Sequence, residues 1–370
     1  MPRYTASVSF RARLGPSLVA TIALLALGLW RFWPRGDSRE AGSPEGQSGP
    51  EAVRALAGAT GWLNGSPIST DSLRGRVVVL VLWSDTDPVS LKVLPEAEAW
   101  RRAYEPMGVR VLGVHVPDYA FATDTAVATA AARRAGAAFP IALDGEYRIA
   151  SRLDPQDAMP LVMILDATGR TALDVPGGAF ERAHRAIRDA LRRSRPDLGL
   201  APDPEPTGRE ASAPPVRRVF CGTSRVERGP LATAAPGRTT TFTAEFRYQI
   251  EGDAYTPYVV GRWTPNAEGV TAARGGPAEM LAVRSQGGDV YAVMGPPPSG
   301  RGRVWILCDD AWLADTERGG DVRGDSRGAT YVDVTEPRLY AIARSQRPHV
   351  LKLSPDQPGV TFYELSFVRP

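Results

Sequence analysis

The sequence predicts an N-terminal transmembrane helix, then an α/β domain, then an all-β sandwich domain, within 370 residues. An uncharged apolar stretch follows a basic N-terminus, which is typical of a membrane-targeting segment. Beyond it, patterns of buried strands alternate with helical patterns, and after a proline-rich segment short alternating strands take over. The net charge of +3 and the lack of a basic stripe give no support for nucleic-acid binding.

Residues 1–35 are predicted to be the membrane-targeting segment. Three arginines precede an uncharged span over residues 14–30, and no small-residue cleavage site follows it. Trp30 and Trp33 suit a membrane interface, and the span with its flanks is just long enough to cross. An uncleaved anchor is therefore favoured over a cleaved signal peptide, and either places the bulk of the chain outside the cytoplasm. Residues 36–50, rich in Gly, Ser, Pro and Glu, are predicted to be a flexible linker.

The α/β domain is predicted over residues 51–195. Short runs rich in β-branched and other apolar residues indicate buried strands at 77–82, 109–114, 161–165 and 171–175. Alanine-rich and amphipathic patterns indicate helices at 125–135 and 181–193. Strands that alternate with helices in this way predict an α/β layer sandwich.

The turn after the first of these strands carries Asp87-Pro88-Val89-Ser90 and leads into a helix. Asp is a good N-cap and Pro suits the first helical position, so a capping role for Asp87 is favoured over a general base or metal ligand. Neither Asp87 nor Ser90 carries sulfur. Disulfide exchange and peroxide reduction both need a thiolate, so neither reaction is expected at this turn.

The residues around this turn form an ordered series with a known counterpart. Trp83 precedes the turn by four residues, Pro95 follows it by five, and Met159-Pro160 stands ahead of a later strand. The series resembles the thioredoxin-like domain of redoxin (AhpC/TSA) and TlpA-type proteins, in particular the extracytoplasmic part of DipZ-type cytochrome c biogenesis proteins, over residues 58–194. The resemblance implies a thiol-disulfide oxidoreductase or antioxidant protein of cell-envelope redox homeostasis. The family's Cys-x-x-Cys pair falls on Asp87 and Ser90, so the active site is degenerate here.

In the family that the chain resembles, the residue before a cis proline faces the active turn and pairs with bound peptide. The resemblance therefore implies a binding groove without redox function, although a cis proline that only shapes the turn is an equal alternative. The candidate groove residues are Trp83, Asp87, Pro88, His115, Met159 and Pro160. A neutral, hydrogen-bonded His115 is favoured over a catalytic one, with Asp85 and Asp118 as possible acidic neighbours. No metal site and no cofactor are expected.

A second linker is predicted over the proline-rich residues 196–216, followed by a β-sandwich over residues 217–370. Short alternating segments between Gly and Pro residues indicate its strands, at 239–248, 258–263, 280–284, 289–294, 304–308, 329–334, 338–343, 350–353 and 360–367. This part resembles the C-terminal domain of DipZ-type proteins, which implies a jelly roll of the carbohydrate-binding kind.

The β-sandwich holds both cysteines of the chain, Cys221 and Cys308. Thiols outside the cytoplasm tend to pair, so a structural disulfide between them is predicted, with two separate buried thiols as the alternative. Aromatic residues of this domain are candidates for stacking on sugar rings, although a place in the core is favoured for most of them. They are Trp263, Trp305, Trp312 and Tyr331.

Two functions from different classes remain open. The first is a membrane-anchored, extracytoplasmic, non-catalytic module that binds a protein or a glycan, and the missing cysteines favour it. The second is the thiol-disulfide oxidoreductase or antioxidant enzyme that the family resemblance implies.

Overall fold

A computed structural model describes residues 49–369 apart from 154, 156–158, 177–178, 201–215, 244–253 and 346. These residues belong to one compact unit, Gly46–Pro370. The predicted transmembrane segment, the flexible linker up to residue 48 and most of the proline-rich linker lie outside the described residues. Within the described ranges, no helix combines the length and the apolar character that crossing a membrane requires.

The first half of the unit is a six-stranded sheet with helices packed on it. Its strands are β1 (Gly61–Leu63), β2 (Val78–Trp83), β3 (Arg110–His115), β4 (Ile141–Leu143), β5 (Leu161–Leu165) and β6 (Thr171–Pro176). Its helices are α1 (Gly49–Ala55), α2 (Pro88–Tyr104), α3 (Thr125–Arg134), α4 (Ala150–Leu153) and α5 (Phe180–Ser194). The strand order is β1-β4-β3-β2-β5-β6, with β2, β3 and β4 parallel and the outer strands antiparallel to their neighbours.

The central strand β2 is buried along its whole length because both faces of the sheet are covered. Val79 and Val81 lie in the core shared with α2, α3 and α5, whereas Leu80 and Leu82 lie in the core shared with α1. The core packs directly on the backbone of Gly113 on β3. A Cβ there would lie only 2.9 Å from a side-chain carbon of Ile141, so a larger residue would not fit without a shift. This is a thioredoxin-like α/β fold, as the sequence predicts.

The second half is a large β-sheet region. Its strands are β7 (Val216–Phe220), β8 (Thr240–Phe242), β9 (Tyr258–Pro265), β10 (Val270–Ala272), β11 (Met280–Ser285), β12 (Gly288–Gly295), β13 (Gly302–Cys308), β14 (Ala311–Trp312), β15 (Arg323–Gly324), β16 (Thr330–Val334), β17 (Arg338–Ser345), β18 (His349–Pro355) and β19 (Thr361–Val368). The order along the main path is β15-β16-β13-β18-β11-β9-β10-β19-β12-β17, with β14 on β13, β7 on β19 and β8 on β9.

Strand β9 takes the sheet around a corner. Its first residues pair with β11, and its residues from Gly261 onward pair with β8 and β10. Gly261 has φ of +96°, and a Cβ there would lie 2.7 Å from the carbonyl oxygen of Ala278, so the corner requires glycine. The two halves of the sheet then share one apolar core, to which β12 and β13 both contribute.

Strand β19 carries a bulge that decides which side chains face the first sheet. Val293 on β12 pairs with Glu364, whereas the next residue, Met294, pairs with Phe362. Tyr363 is therefore the extra residue. Tyr363 packs on rings of the α/β half and Glu364 bonds to that half, while Phe362 lies in the β core.

Most predicted strands and helices are confirmed within two or three residues. Six short strands have no counterpart in the sequence prediction, namely β1, β4, β7, β10, β14 and β15. The predicted strand at 239–248 is seen as β8, and its residues from 244 onward lie outside the described part of the chain.

Candidate functional site

The turn between β2 and α2 is built as the sequence predicts. Asp87 is the N-cap of α2, its Oδ1 accepts a hydrogen bond of 2.6 Å from the backbone N–H of Ser90, and Pro88 occupies the first helical position. The Met159–Pro160 peptide bond is cis. Because Leu82 pairs with Leu161, this bond lies at the end of β5 beside the end of β2. The capped turn and the cis bond therefore lie at the same edge of the sheet.

His115 ties the turn to the neighbouring strand. It ends β3 in register with Trp83, and the two rings lie 4.8 Å apart. Its Nε2 lies 2.9 Å from Oδ1 of Asp85, and both side chains are buried. His115 is therefore hydrogen-bonded, and its non-catalytic role stays a prediction. Trp83 Nε1 and Asp85 Oδ2 are buried and have no hydrogen-bond partner among the described residues.

Asp118 belongs to a different set of contacts. Its Oδ2 accepts hydrogen bonds of 2.9 Å from the hydroxyls of both Ser84 and Thr86, and one of 3.0 Å from Nη2 of Arg218. Burial by itself raises the pKa of this carboxyl, but Arg218, Arg225 and the two hydroxyls bring the pKa below its ordinary value. Asp118 therefore joins the turn to the β region instead of joining His115.

Arg218 on β7 and Glu364 on β19 complete this interdomain seam. The Arg218 guanidinium donates to both carboxylate oxygens of Glu364, at 2.7 and 2.6 Å. Tyr119 and Ser366 each donate a hydroxyl hydrogen bond of 2.6 Å to the same carboxylate. The interdomain seam, as used below, comprises Ser84, Thr86, Asp87, Asp118, Tyr119, Arg218, Glu364 and Ser366.

The seam buries the turn. Asp87 is 4% exposed and Ser90 is fully buried, and Ser90 Oγ has no hydrogen-bond partner among the described residues. Beside the polar contacts lies an apolar patch formed by both halves, whose members are Tyr119, Val293, Leu339, Leu91, Phe121, Tyr291 and Tyr363. Among the described residues the turn is not part of an open groove, because the β region covers the turn. A ligand-binding role for the candidate groove residues stays a prediction.

The pKa of Asp87 responds to this burial. Loss of hydration raises it from 3.8 to about 6. The backbone N–H of Ser90 and the positive charge of Arg218 act in the opposite sense, whereas the negative charges of Asp118 and Glu364 raise the pKa further. Asp87 is thus a capping residue whose charged form is disfavoured by burial.

The predicted disulfide is wrong, because Cys221 and Cys308 are both free and buried. Cys221 follows β7, and its backbone N–H bonds to the Tyr363 carbonyl on β19. Cys308 ends β13, between β14 and β18, in the other half of the sheet. Burial raises the pKa of both thiols, that of Cys308 to about 11, so neither resembles an activated thiolate.

The candidate sugar-stacking aromatics divide into two groups. Trp263 is fully buried in the β core. Trp305 and Tyr331 lie side by side on β13 and β16 with ring centroids 5.5 Å apart, and Trp312 lies 6.1 Å from Trp305. Trp312 is 43% exposed. Arg303 stacks on the Tyr331 ring at 3.8 Å. An aromatic surface, defined here as Trp305, Trp312, Tyr331 and Arg303, therefore lies on the outer face of the sheet.

Among the described residues there is no group of three or more His, Cys, Asp or Glu that could hold a metal ion.

Sequence reasoning missed Tyr119, Arg218 and Glu364. A sequence signal for Glu364 does exist, because it is a lone carboxylate within the apolar run Phe362–Phe367. Arg218 lies at the edge of the predicted proline-rich linker, where no strand is expected from composition.

Comparison with known proteins agrees with this fold. Residues 44–173 match the family model described as Redoxin, and residues 219–367 match the one described as Thioredoxin like C-terminal domain. Protein DipZ of Mycobacterium bovis and that of Mycobacterium tuberculosis are each 28% identical over 263 residues, which is 69% of this chain. The chain carries a thioredoxin-like redoxin domain and is related to DipZ. It spans 36% of the length of those two relatives.

Solved structures also match part of the chain. The solution structure of a thioredoxin-like protein in the oxidized form is 20% identical with a TM-score of 0.34, and the match covers 36% of this chain and 90% of that one. A secreted Mycobacterium tuberculosis disulfide oxidoreductase homologous to E. coli DsbE is 18% identical with a TM-score of 0.32, and the match covers 37% and 98%.

Proposed function

We propose that this protein is a membrane-anchored, extracytoplasmic, thioredoxin-like protein that performs no redox catalysis and binds a protein or a glycan. One observation carries the proposal. The two positions that would hold the thiol pair are Asp87 and Ser90, and the β region buries both. A carboxylate and a hydroxyl cannot attack or resolve a disulfide, and a buried turn is not accessible to a protein disulfide.

The redox part of the proposal is tested by insulin reduction with dithiothreitol as the electron source. The full chain in detergent is expected to match the rate without protein, while a thioredoxin with an intact Cys-x-x-Cys accelerates the reaction. Turnover by the full chain above that background, abolished by Cys221→Ser or Cys308→Ser, would contradict the assignment. The oxidoreductase alternative has no support in the geometry, because both thiols are buried with raised pKa values.

The aromatic surface supports the glycan part of the proposal. The β region, which we take to be a jelly-roll-like sandwich, presents three neighbouring rings there, and Trp312 is exposed. Apolar ring faces beside polar groups suit a sugar, whose C–H face packs on aromatic rings while its hydroxyls form hydrogen bonds. Arg303, held on the Tyr331 ring, supplies donors beside the rings.

Binding is tested by titrating soluble cell-wall oligosaccharides into the full chain and following tryptophan fluorescence. Trp312→Ala should weaken binding about tenfold or more, which corresponds to ~1.4 kcal/mol of lost contact. Tyr147→Ala is the matched control, because Tyr147 is 42% exposed but lies in the α/β half. Equal binding by Trp312→Ala and wild type would exclude this surface as the glycan site. If both proteins instead retain a protein from a cell-envelope extract, a protein ligand would be favoured.

The membrane part of the proposal rests on the basic N-terminus and the apolar span over residues 14–30. Fractionation should recover the full-length chain with membranes, and a protease added outside the cytoplasmic membrane should digest it. A mature chain that starts after residue 35 and is free of membranes would contradict anchoring.

A further inference from the structure

Three arginines meet one carboxylate at the edge of the aromatic surface. The Asp333 carboxylate on β16 accepts hydrogen bonds from Nη2 of Arg301 at 3.0 Å and from Nε of Arg303 at 3.4 Å. Nη1 of Arg323 lies 3.4 Å from the same carboxylate. A single negative charge therefore gathers three positive charges.

Strand register places these charges on the face of the sheet that carries the rings. Arg303 pairs with Asp333, and Trp305, two residues further along β13, pairs with Tyr331. Arg323 on β15 pairs with Tyr331 from the other side. Residues opposite each other in antiparallel strands share a face, and so do alternate residues of one strand. The arginines and the rings therefore lie on the same side of the sheet.

The arginines present their charge to solvent, whereas the carboxylate between them does not. The side chain of Asp333 is 10% exposed, but those of Arg301 and Arg323 are 65% and 69% exposed. Each guanidinium has five N–H donors, so a contact with Asp333 leaves most of them open to a ligand. A second carboxylate, Asp356, accepts a hydrogen bond from the backbone N–H of Arg303. With both carboxylates counted, the guanidinium groups are still in excess.

The two ends of the aromatic surface differ in charge. Asp309 and Asp310 form the turn from β13 to β14 beside Trp312, and Lys352 on β18 forms an ion pair with Asp310. The excess of positive charge is thus confined to the arginine end. Between the two ends, the Arg303 guanidinium lies 5.3 Å from the ring centroid of Trp305. An acidic ligand lying across the rings is therefore oriented with its acidic group toward the arginines.

We propose that the aromatic surface binds a glycan that carries a carboxylate. Its sugar rings pack on Trp305 and Trp312, and its carboxylate binds Arg301 and Arg323. The inference rests on the proposed glycan binding and specifies the class of glycan. A guanidinium and a carboxylate are both planar and form paired hydrogen bonds. In a uronic-type sugar the carboxylate is bonded to the sugar ring itself, so a ring packed on Trp305 carries this group toward the arginine end.

Titration of the full chain in detergent, followed by tryptophan fluorescence, tests this preference with one ligand in two charge states. The probes are acidic oligosaccharides isolated by anion exchange from a cell-wall digest, before and after methyl esterification of their carboxyl groups. The wild type should bind the acidic form about fivefold more tightly than the ester at low salt, because two exposed ion pairs each contribute modestly. High salt should reduce the preference, because salt screens exposed charges.

Arg301→Gln combined with Arg323→Gln should remove the preference and leave binding of the ester unchanged. Glutamine keeps an N–H donor at each position but carries no charge. Arg228→Gln combined with Arg238→Gln is the matched control, since both arginines are exposed in the segment between β7 and β8. It lowers the net charge of the chain by the same amount and should keep the preference.

Equal affinity of the wild type for the acidic form and the ester would overturn the proposal and leave glycan binding in place. A preference that persists in Arg301→Gln with Arg323→Gln would also overturn it, because the carboxylate would then bind elsewhere. Loss of the preference in the control pair as well would assign it to the net charge of the chain and not to this cluster. Binding of neither form would overturn both this inference and the glycan function.

Discussion

At the scale of single residues, Asp87 combines two roles that oppose each other. As an N-cap it stabilises α2 by about 1 kcal/mol through its bond to the Ser90 N–H. As a buried carboxyl it loses hydration, and its pKa rises to about 6. The folded chain therefore binds more protons at Asp87 than the unfolded chain does between about pH 4 and pH 6. Over that window the contribution of Asp87 to the free energy of unfolding falls as pH rises, by about 3 kcal/mol.

This balance predicts that Asp87→Asn stabilises the protein at pH 7.5. Asn is as good a cap as Asp and carries no charge, so the free energy of unfolding should rise by up to about 3 kcal/mol at pH 7.5 and should not change at pH 4. Guanidinium unfolding of the full chain in detergent at both pH values measures the difference. Asp124→Asn should change it by less than about 0.5 kcal/mol at either pH, because Asp124 is exposed. A loss of stability at pH 7.5 in Asp87→Asn would contradict the buried-charge argument.

The two cysteines should behave as isolated buried thiols. Burial raises the pKa of Cys308 to about 11 and that of Cys221 further. An aromatic disulfide reagent at pH 8 should therefore label neither in the native protein and both after unfolding without reductant. Zero labelling of the unfolded chain would instead indicate the disulfide that the structure does not contain.

At the scale of elements, β7 and β19 show where prediction from sequence stops. The alternation over residues 360–367 correctly predicts a strand, but alternation assigns each residue a face only while register is regular. The bulge at Tyr363 shifts Glu364 toward the α/β half, and no local pattern announces it. Arg218 lies next to the predicted linker, and its strand β7 is only five residues long. Both residues matter through contacts about 100 to 250 positions away in sequence, which a local pattern cannot specify.

The turn itself was predictable because its signals are local. Asp at the cap, Pro at the first helical position and the strand before them act within a few residues of one another. Local signals do not reveal that the β region covers the turn, because the residues that cover it are distant in sequence. A helix N-terminus favours the thiolate of a thiol pair placed there, whereas the seam predicts that such a pair would stay inactive.

We expect Asp87→Cys with Ser90→Cys to leave insulin reduction at background. The helix N-terminus favours a thiolate, but burial and the negative charges of Asp118 and Glu364 disfavour it, and insulin cannot reach the turn. Adding Glu364→Ala, which opens the seam, should raise the rate above that of the double variant. Rapid insulin reduction by the double variant with an intact seam would show that the turn is accessible.

At the scale of the whole molecule, we expect the seam to make the two halves unfold as one cooperative unit. Arg218 bonds to Asp118 on one side and to Glu364 on the other, and Tyr119 reaches across to the same carboxylate. The apolar patch packs beside these contacts. The halves have separate cores, so the free energy that couples their unfolding comes from this interface.

Glu364→Ala should therefore uncouple the halves. It removes the acceptor of Tyr119 and Ser366 and leaves the buried side of Arg218 without its partner, which typically costs about 3–5 kcal/mol. Glu336→Ala removes an interdomain pair as well, but Glu336 and its partner Arg134 are 42% and 39% exposed, so its cost should stay below about 1 kcal/mol. Calorimetry of the full chain should show one unfolding transition for the wild type and for Glu336→Ala, and two for Glu364→Ala. Equal effects of Glu364→Ala and Glu336→Ala would mean that the apolar patch couples the unfolding of the two halves. In that case Leu339→Ala should split the unfolding transition in two.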